Sequence, residues 1–274
     1  MVRCGACGAG VTKPDASPEE LASFYPSGYG PYEQPGNPLV RLASTAIRAW
    51  QGWLAMRGFP LDAARDLAPG RAVDVGCGRG DLGALLIRRG WQVTGVEPSA
   101  DACAVARERG IDARQGTLAD VPLEPGAYEV AVFKHSLEHV TDPVADLRRV
   151  RDALRPGGLV LVTVPNFSSW QRRRFGARWY HLDLPRHRVH FTPAALRRAL
   201  ERAGMDPVRL DTSTSMVGLP ATVQYAVAGR CLFPDGLRLR VTSGLCALAL
   251  PVSLLADRLA GAGDQLHAVA RRPS

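Results

Sequence analysis

Three stretches of the chain hold residue types whose spacing suits chemistry. FKHSLEHV (133 to 140) sets His135, Glu138 and His139 within five positions, a grouping that fits metal ligation, proton transfer or the capping of backbone carbonyls. WYHLDLPRHRVHF (179 to 191) adds His181, Asp183, His187 and His190. VDVGCGRGDLG (73 to 83) carries a different signal: an apolar run, a carboxylate and a glycine-rich turn. Glycines let backbone approach a ligand closely, and the helix start that follows aims its N–H groups at it. For the histidines, the residues by themselves leave ligation, base and packing roles open.

The elements that must position these groups follow from pattern. From Arg71 onward, short β-branched runs alternate with helical stretches: AVDV, a helix from Asp81 to Arg89, WQVTGVE, a helix from Ser99 to Arg109, then IDARQG. YEVAVF, a helix from Asp142 to Leu154 and GLVLVTVP continue the alternation. Strands and helices in this rhythm imply a parallel sheet covered on both faces, with the loops after the strands gathered at one edge, where ligands bind. Thr192 followed by Pro193 reads as a helix start for AALRRALERAG, PVRLDTS (207 to 213) as a sixth strand and QLHAVARR (265 to 272) as a seventh. The roughly fifty residues between those two strands are too many for a hairpin and read as an apolar helical insertion.

Composition narrows the class. The 274 residues, 46% hydrophobic, supply an ample core with no need of a disulfide or metal. The six cysteines are scattered apart from Cys4 and Cys7, and no signal-peptide pattern opens the chain, so a reducing cytoplasm is the expected compartment. GLCALALPVSLLA (244 to 256) is shorter than the roughly 20 residues that span a bilayer, and Pro251 interrupts it. The net charge of +8 could attract nucleic acid or anionic lipid, but arginines in runs such as LRRVRDALR fall on the outer face of a helix. QRRRFGARW (171 to 179) is the one basic and aromatic stretch expected in a loop.

Asp74 discriminates between ligands for the glycine turn. GRGDLG is a literal G-x-G-x-x-G, so a dinucleotide has to be weighed. A carboxylate at the strand end repels a pyrophosphate, whereas S-adenosylmethionine carries a sulfonium and an ammonium and no phosphate. Glu97, ending the next strand, can accept ribose hydroxyls in either class.

The succession VDVGCGRGDLG, VTGVEPS, YEVAVFKHSLEHVTDP, LRPGGLVLVTVPN and LPRHRVHFTPAALRRALERAG resembles the class I S-adenosylmethionine-dependent methyltransferases, and within them the ubiquinone-biosynthesis O-methyltransferase-like (methyltransferase type 11/type 23) group. The resemblance implies a seven-stranded, Rossmann-like α/β sheet, mostly parallel with the last strand antiparallel. It divides the chain into an N-terminal arm with lid helices (1–60), a cofactor-binding core (61–215), the apolar helical insertion (216–262) and the last strand (263–274). It further implies that Asp74, Gly76, Gly78 and Gly80 hold the methionine end of S-adenosylmethionine, with Cys77 in the same loop. Glu97, followed by Pro98, would hold the ribose. Gly116, Thr117 and Leu118 sit where the family contacts adenine, and Phe133 and Lys134 close the fourth strand beside the cofactor. The family often has an acid where this chain has Thr117. Tyr25 and Tyr29 in FYPSGYGPY suit a lid over the cofactor.

Methyl transfer asks the protein mainly to hold an acceptor about 3 Å from an already activated carbon. An acceptor hydroxyl needs a base, and His135, His139, His181 and His187 are the candidates. His135, Glu138 and His139 occupy the positions of an E-x-x-E-H pattern credited in the family with a divalent cation. Histidine in place of the first acid would shift preference from magnesium toward zinc or iron, and a bound metal is not the favoured reading. Cys4 and Cys7 form half of a zinc ribbon and are expected to hold no zinc. The expected partner is a small, lipophilic acceptor rather than nucleic acid, since KHSLEH stands where an N-P-P-Y-type motif would serve exocyclic amines. The apolar insertion would contact a membrane surface or a second copy. A protein that binds the cofactor without turnover is the alternative from another class. Replacing Asp74 by Ala is expected to abolish S-adenosylmethionine binding in calorimetry, and unchanged affinity would remove the assignment.

Overall fold

Alternation of β-branched runs with amphipathic helices produces strands buried on both faces. The computed structural model describes residues 1–14, 17, 20, 24, 59–229 and 250–274. Tyr25, Tyr29, the lid helices and the middle of the insertion lie outside the described residues. The strands are β1 (Val2–Arg3), β2 (Gly10–Val11), β3 (Arg71–Val75), β4 (Gln92–Glu97), β5 (Asp112–Gln115), β6 (Tyr128–Lys134), β7 (Leu154–Pro165), β8 (Val189–His190), β9 (Asp206–Ser213) and β10 (Gln265–Arg271). The helices are α1 (Asp81–Ile87), α2 (Ala100–Glu108), α3 (Pro143–Ala153), α4 (Trp170–Phe175), α5 (Pro193–Arg202), α6 (Gly218–Ala228) and α7 (Leu250–Ala260).

Seven strands form one sheet in the order β5-β4-β3-β6-β7-β10-β9. Those from β3 to β7 pair in parallel, and β10 runs antiparallel to both β7 and β9. From β3 the chain builds outward through β4 and β5, then returns to place β6 on the other side of β3. The gap between β3 and β6 is therefore the topological switch point, where open α/β sheets hold their ligands.

Alternate residues of each strand face opposite layers. Val73, Val75, Ala131 and Phe133 pack with Leu147, Val150, Leu196 and Leu200 of α3 and α5. Ala72, Val130 and Val132 pack with Leu82, Leu86, Cys103 and Ala106 of α1 and α2. The helices start where side chains can satisfy their first amides. Ser99 Oγ accepts from Ala102 N, Asp142 from Val144 N and Ala145 N ahead of Pro143, and Thr192 from Ala195 N ahead of Pro193. Each cap is worth about 1 kcal/mol.

Two local expectations change. The arginine-rich stretch expected as a loop is partly α4, because Ser169 Oγ accepts from Arg172 N, supplying a cap, and Gly176 at φ 57 ends the turn. The start of the chain, expected as an arm, forms a β1–β2 hairpin whose second strand pairs with β8. Two-residue strands have no period of their own, so tertiary pairing alone defines them.

The described ends of the insertion are helical. α7 exposes Val252, Leu254, Leu255 and Leu259, and among the described residues no helix is long and apolar enough to cross a membrane. The insertion is tied to the sheet by Asp264, which is fully buried. Its carboxylate accepts from Ser215 N and Ser215 Oγ, each at 2.6 Å, and from His181 Nε2 at 3.1 Å. Ser215 Oγ in turn accepts from Gly218 N, the first residue of α6. Replacing Asp264 by Ala leaves those donors buried without an acceptor, and urea titration should show a loss of about 3 kcal/mol or more.

Candidate active site

The turn after β3 is held by backbone bonds. The amides of Gly76 and Cys77 donate to Val96 O of β4 at 2.7 and 3.3 Å, and Gly80 N donates to Cys77 O at 2.9 Å. Gly76 has φ 72, and a β-carbon there would stand 2.5 Å from Ser136 Cβ. Glycine is required at that point because the loop after β3 touches the histidine turn after β6. Gly78, at φ 53, has nothing among the described residues within 4 Å of a β-carbon position, so its backbone leaves the room that close ligand approach demands. Glu97, buried at the end of β4, accepts from Gly78 N and Ser99 N, both at 2.9 Å. A carboxylate has about four acceptor positions, so it can hold the loop and a ribose together.

Asp74 sits in the middle of the site at 2% exposure. Among the described residues no donor hydrogen-bonds its carboxylate. Burial pushes its pKa up to about 7, Lys134 pulls it down, and Glu97 and Asp81 add to the rise. Lys134 is itself lowered by burial, against the pull of Asp74 and Asp81. A buried carboxylate without a donor is costly, and a ligand bearing a sulfonium and an ammonium relieves that cost. The residues present therefore fit the charge of S-adenosylmethionine, with Asp74, Gly78, Glu97 and Lys134 at the ends of β3, β4 and β6 and in the turn after β3.

Other expected contacts fall differently. Gly116, at φ 135, donates from its amide to Glu97 O at 3.0 Å. Thr117 Oγ1 donates to Asp120 Oδ2 at 2.7 Å and accepts from Ala119 N at 3.2 Å, so its hydroxyl serves the local turn. Leu118 and Phe133 lie in one core layer and the Cys77 thiol in the other. Phe133 is fully buried in the first of these layers. Pro98 is exposed, with its carbonyl accepting from Gln115 Nε2 at 3.4 Å.

The histidines separate into two groups. His135 takes a positive φ of 54, its amide donating to Thr163 O at 2.9 Å. The next residue, Ser136, donates from Oγ to Val75 O at 2.6 Å. His135 Nδ1 lies 3.3 Å from Glu138 Oε1 and its Nε2 3.2 Å from Gln265 Nε2. A carboxylate accepts and an amide nitrogen donates, so Nδ1 carries the hydrogen and Nε2 is the acceptor. Behind Gln265 the chain continues through Ser213 Oγ (3.2 Å), His267 Nε2 (2.6 Å from that hydroxyl) and Thr163 Oγ1 (2.8 Å from His267 Nδ1). Both ring nitrogens of His135 are thus engaged, and its part is to hold Glu138. Gln265 opens the last strand, and no local pattern marked it for this role.

Glu138 is 1% exposed, and among the described residues its Oε2 has no hydrogen-bond partner. Burial acts to raise its pKa, but the His135 hydrogen bond and the surrounding histidines outweigh burial and hold it at about 2. His187 Nδ1 is 2.9 Å from His181 O. A carbonyl only accepts, so Nδ1 bears the hydrogen and the Nε2 lone pair faces Glu138 Oε1 at 4.0 Å and Asp183 Oδ2 at 3.7 Å. Burial is the main cause that lowers His187 to about 4, so it is neutral at pH 7. His139 Nδ1 lies 3.2 Å from Arg186 O, and its ring meets that of His187 edge-on with centroids 4.7 Å apart. One ligand atom each from Glu138, His139 and His187 comes within 4.8 Å of the others. These three, with His187 in the place expected for His135, fit a divalent ion, and two imidazoles favour zinc or iron over magnesium. His181 belongs elsewhere, to the buried cluster with Asp264 and Ser215. His190 is buried against Thr12 Oγ1, 3.1 Å from its Nε2.

Comparisons with known proteins bear on the family and the fold. A family model described as a methyltransferase domain matches residues 47–210. A ubiquinone biosynthesis O-methyltransferase of Marinobacter nauticus is 36% identical over 180 residues, 60% of this chain and 74% of that protein. The enzyme of the same name from Aeromonas salmonicida is 32% identical over 148 residues, 49% of this chain and 62% of that one. The crystal structure of geranyl diphosphate C-methyltransferase from Streptomyces coelicolor, 17% identical, shares the fold with a TM-score of 0.55 over 94% of this chain and 100% of that one.

The Asp74 shift has a measurable consequence. A carboxyl raised from 3.8 to about 7 stabilises the ligand-free fold below the lower value, and that contribution is lost as pH rises through the upper one. A cationic ligand needs the ionised form, so affinity moves the opposite way. Calorimetry with S-adenosylmethionine should show binding roughly tenfold weaker at pH 6 than at pH 8, and a profile equally steep in Asp74→Asn would contradict this.

Proposed function

The chain belongs to the S-adenosylmethionine-dependent methyltransferase family, and from that premise we propose that it methylates a hydroxyl of a small-molecule acceptor, with His187 taking the hydroxyl proton. The observation that carries this reading is the buried, neutral His187. Its tautomer is set by His181 O and its lone pair faces an ionised Glu138. When His187 gains a proton, Glu138 stands ready to stabilise the imidazolium, the arrangement general base catalysis asks for. The names of the Marinobacter and Aeromonas relatives, both O-methyltransferases, support oxygen as the methylated atom.

Bound S-adenosylmethionine supplies a methyl carbon activated by its sulfonium. Asp74 neutralises the cationic end, Glu97 orients the ribose, and the Gly78 backbone lets the methionine portion approach closely. The exposed apolar residues of α7 support a lipophilic acceptor, with this face set against a membrane surface or a second copy of the chain.

A second reading has its own support in Glu138 Oε2, which has no hydrogen-bond partner among the described residues. Glu138, His139 and His187 would hold a divalent ion, which lowers the pKa of a hydroxyl bound to it. Labelled S-adenosylmethionine incubated with a source-cell metabolite extract, with products identified by mass spectrometry, tests the main proposal. The expected product is an O-methylated small molecule, its formation slowed about 10²-fold or more in His187→Ala and unaffected by chelation. Loss of turnover on chelation favours the metal, and label found only in RNA removes the small-molecule reading.

A further inference from the structure

Cys4 and Cys7 lie at the tip of the β1–β2 hairpin. Cys4 is exposed and Cys7 half-buried. The tip is closed by Cys4 N donating to Ala9 O at 2.8 Å and Gly8 N donating to Cys4 O at 2.9 Å, with Gly8 at φ 72. In this turn the Cys4 thiol is pushed below its ordinary pKa, first by the amide of Cys7, then by that of Ala6 and by the Cys7 thiol. Donors aimed at a sulfur favour its thiolate, and Arg198 adds a positive charge. The remaining described cysteines, Cys77 and Cys103, are buried, and burial raises both. An exposed thiol favoured as thiolate, with a second thiol three positions on in the same turn, is the arrangement of a redox-sensitive pair.

The hairpin is joined to the acceptor side of the site. Cys7 O accepts from Thr192 Oγ1 at 2.7 Å, the hydroxyl that also caps α5. Thr12 N donates to Arg188 O at 2.9 Å, and Thr12 Oγ1 donates to His187 O at 2.6 Å. Arg188 N and Val189 N donate to Glu138 O at 2.7 and 3.0 Å. The hydrogen-bonded path from the dithiol therefore ends on the backbone of the two residues that face each other in the site.

We propose that Cys4 and Cys7 are a peroxide-oxidisable dithiol whose disulfide state is transmitted through the hairpin to the segment carrying His187. The Cys4 thiolate attacks one peroxide oxygen, breaking the O–O bond to give a sulfenic acid and, after protonation, water. Cys7 sulfur then attacks the sulfenic sulfur, forming the S–S bond and releasing a second water. Two thiols lose two electrons and two protons, and one peroxide becomes two waters.

The test treats the full chain with limited hydrogen peroxide, alkylates it, and maps peptides by mass, with hydrogen exchange measured in parallel. The peptide holding Cys4 and Cys7 should become lighter by two hydrogens and resist alkylation until dithiothreitol is added, while Cys77 stays reduced. In Cys7→Ser, dimedone should trap a sulfenic acid at Cys4, and in Cys4→Ser, Cys7 should remain alkylatable. Exchange at Thr12 and Val189 should change on oxidation of the wild type and not of either variant. Full alkylation of both cysteines after peroxide, an unchanged exchange pattern, or a stoichiometric zinc ion on the pair that blocks oxidation would each overturn the proposal.

Discussion

Gly76 and Ser136 touch, and the site depends on that contact. The strand order reverses between β3 and β6, so the turns following those strands must emerge side by side. A β-carbon at position 76 would stand 2.5 Å from Ser136 Cβ and would force them apart. The Ser136 hydroxyl closes the junction by bonding Val75 O. Cofactor loop and histidine turn thereby become one wall, and the short reach that in-line methyl transfer requires is built into the sheet connection.

Three buried carboxylates surround this wall, each balanced in a different way. Glu97 accepts two backbone amides. Glu138 is held ionised by the His135 hydrogen bond, itself fixed by a chain of side chains reaching across β10, β9 and β7. Asp74 has Lys134 nearby and, among the described residues, no hydrogen-bond donor, and burial pushes it toward the protonated form. The carboxylate with the least compensation is the one that a cationic ligand would relieve. That ordering of charge, more than the glycine pattern, separates this loop from a pyrophosphate-binding one.

Local pattern was sufficient where the physics is local. The strands from Arg71 to Pro165, the Thr192–Pro193 helix start and the carboxylates ending β3 and β4 were legible because burial on both faces, capping and strand-end position leave marks within a few residues. The helix over Trp170–Phe175 was not, since a run of arginines masks its weak apolar period and Ser169 alone signals the start. Thr117 and Leu118 were placed near adenine by resemblance, and the structure turns one toward Asp120 and the other into the core.

The histidines mark the boundary between what sequence and tertiary structure decide. Five residues with two imidazoles and a carboxylate show that chemistry is available in KHSLEH, and the sequence by itself determined the sheet, the cofactor class and the edge where that chemistry sits. Only the tertiary structure decided that His135 is bound at both nitrogens through Gln265, 130 positions away. It also decided that His187 faces Glu138 while His181 joins Asp264. Side-chain direction and tautomer are fixed by partners distant in the chain, and spacing along a sequence carries no information about which distant atoms a ring nitrogen will meet.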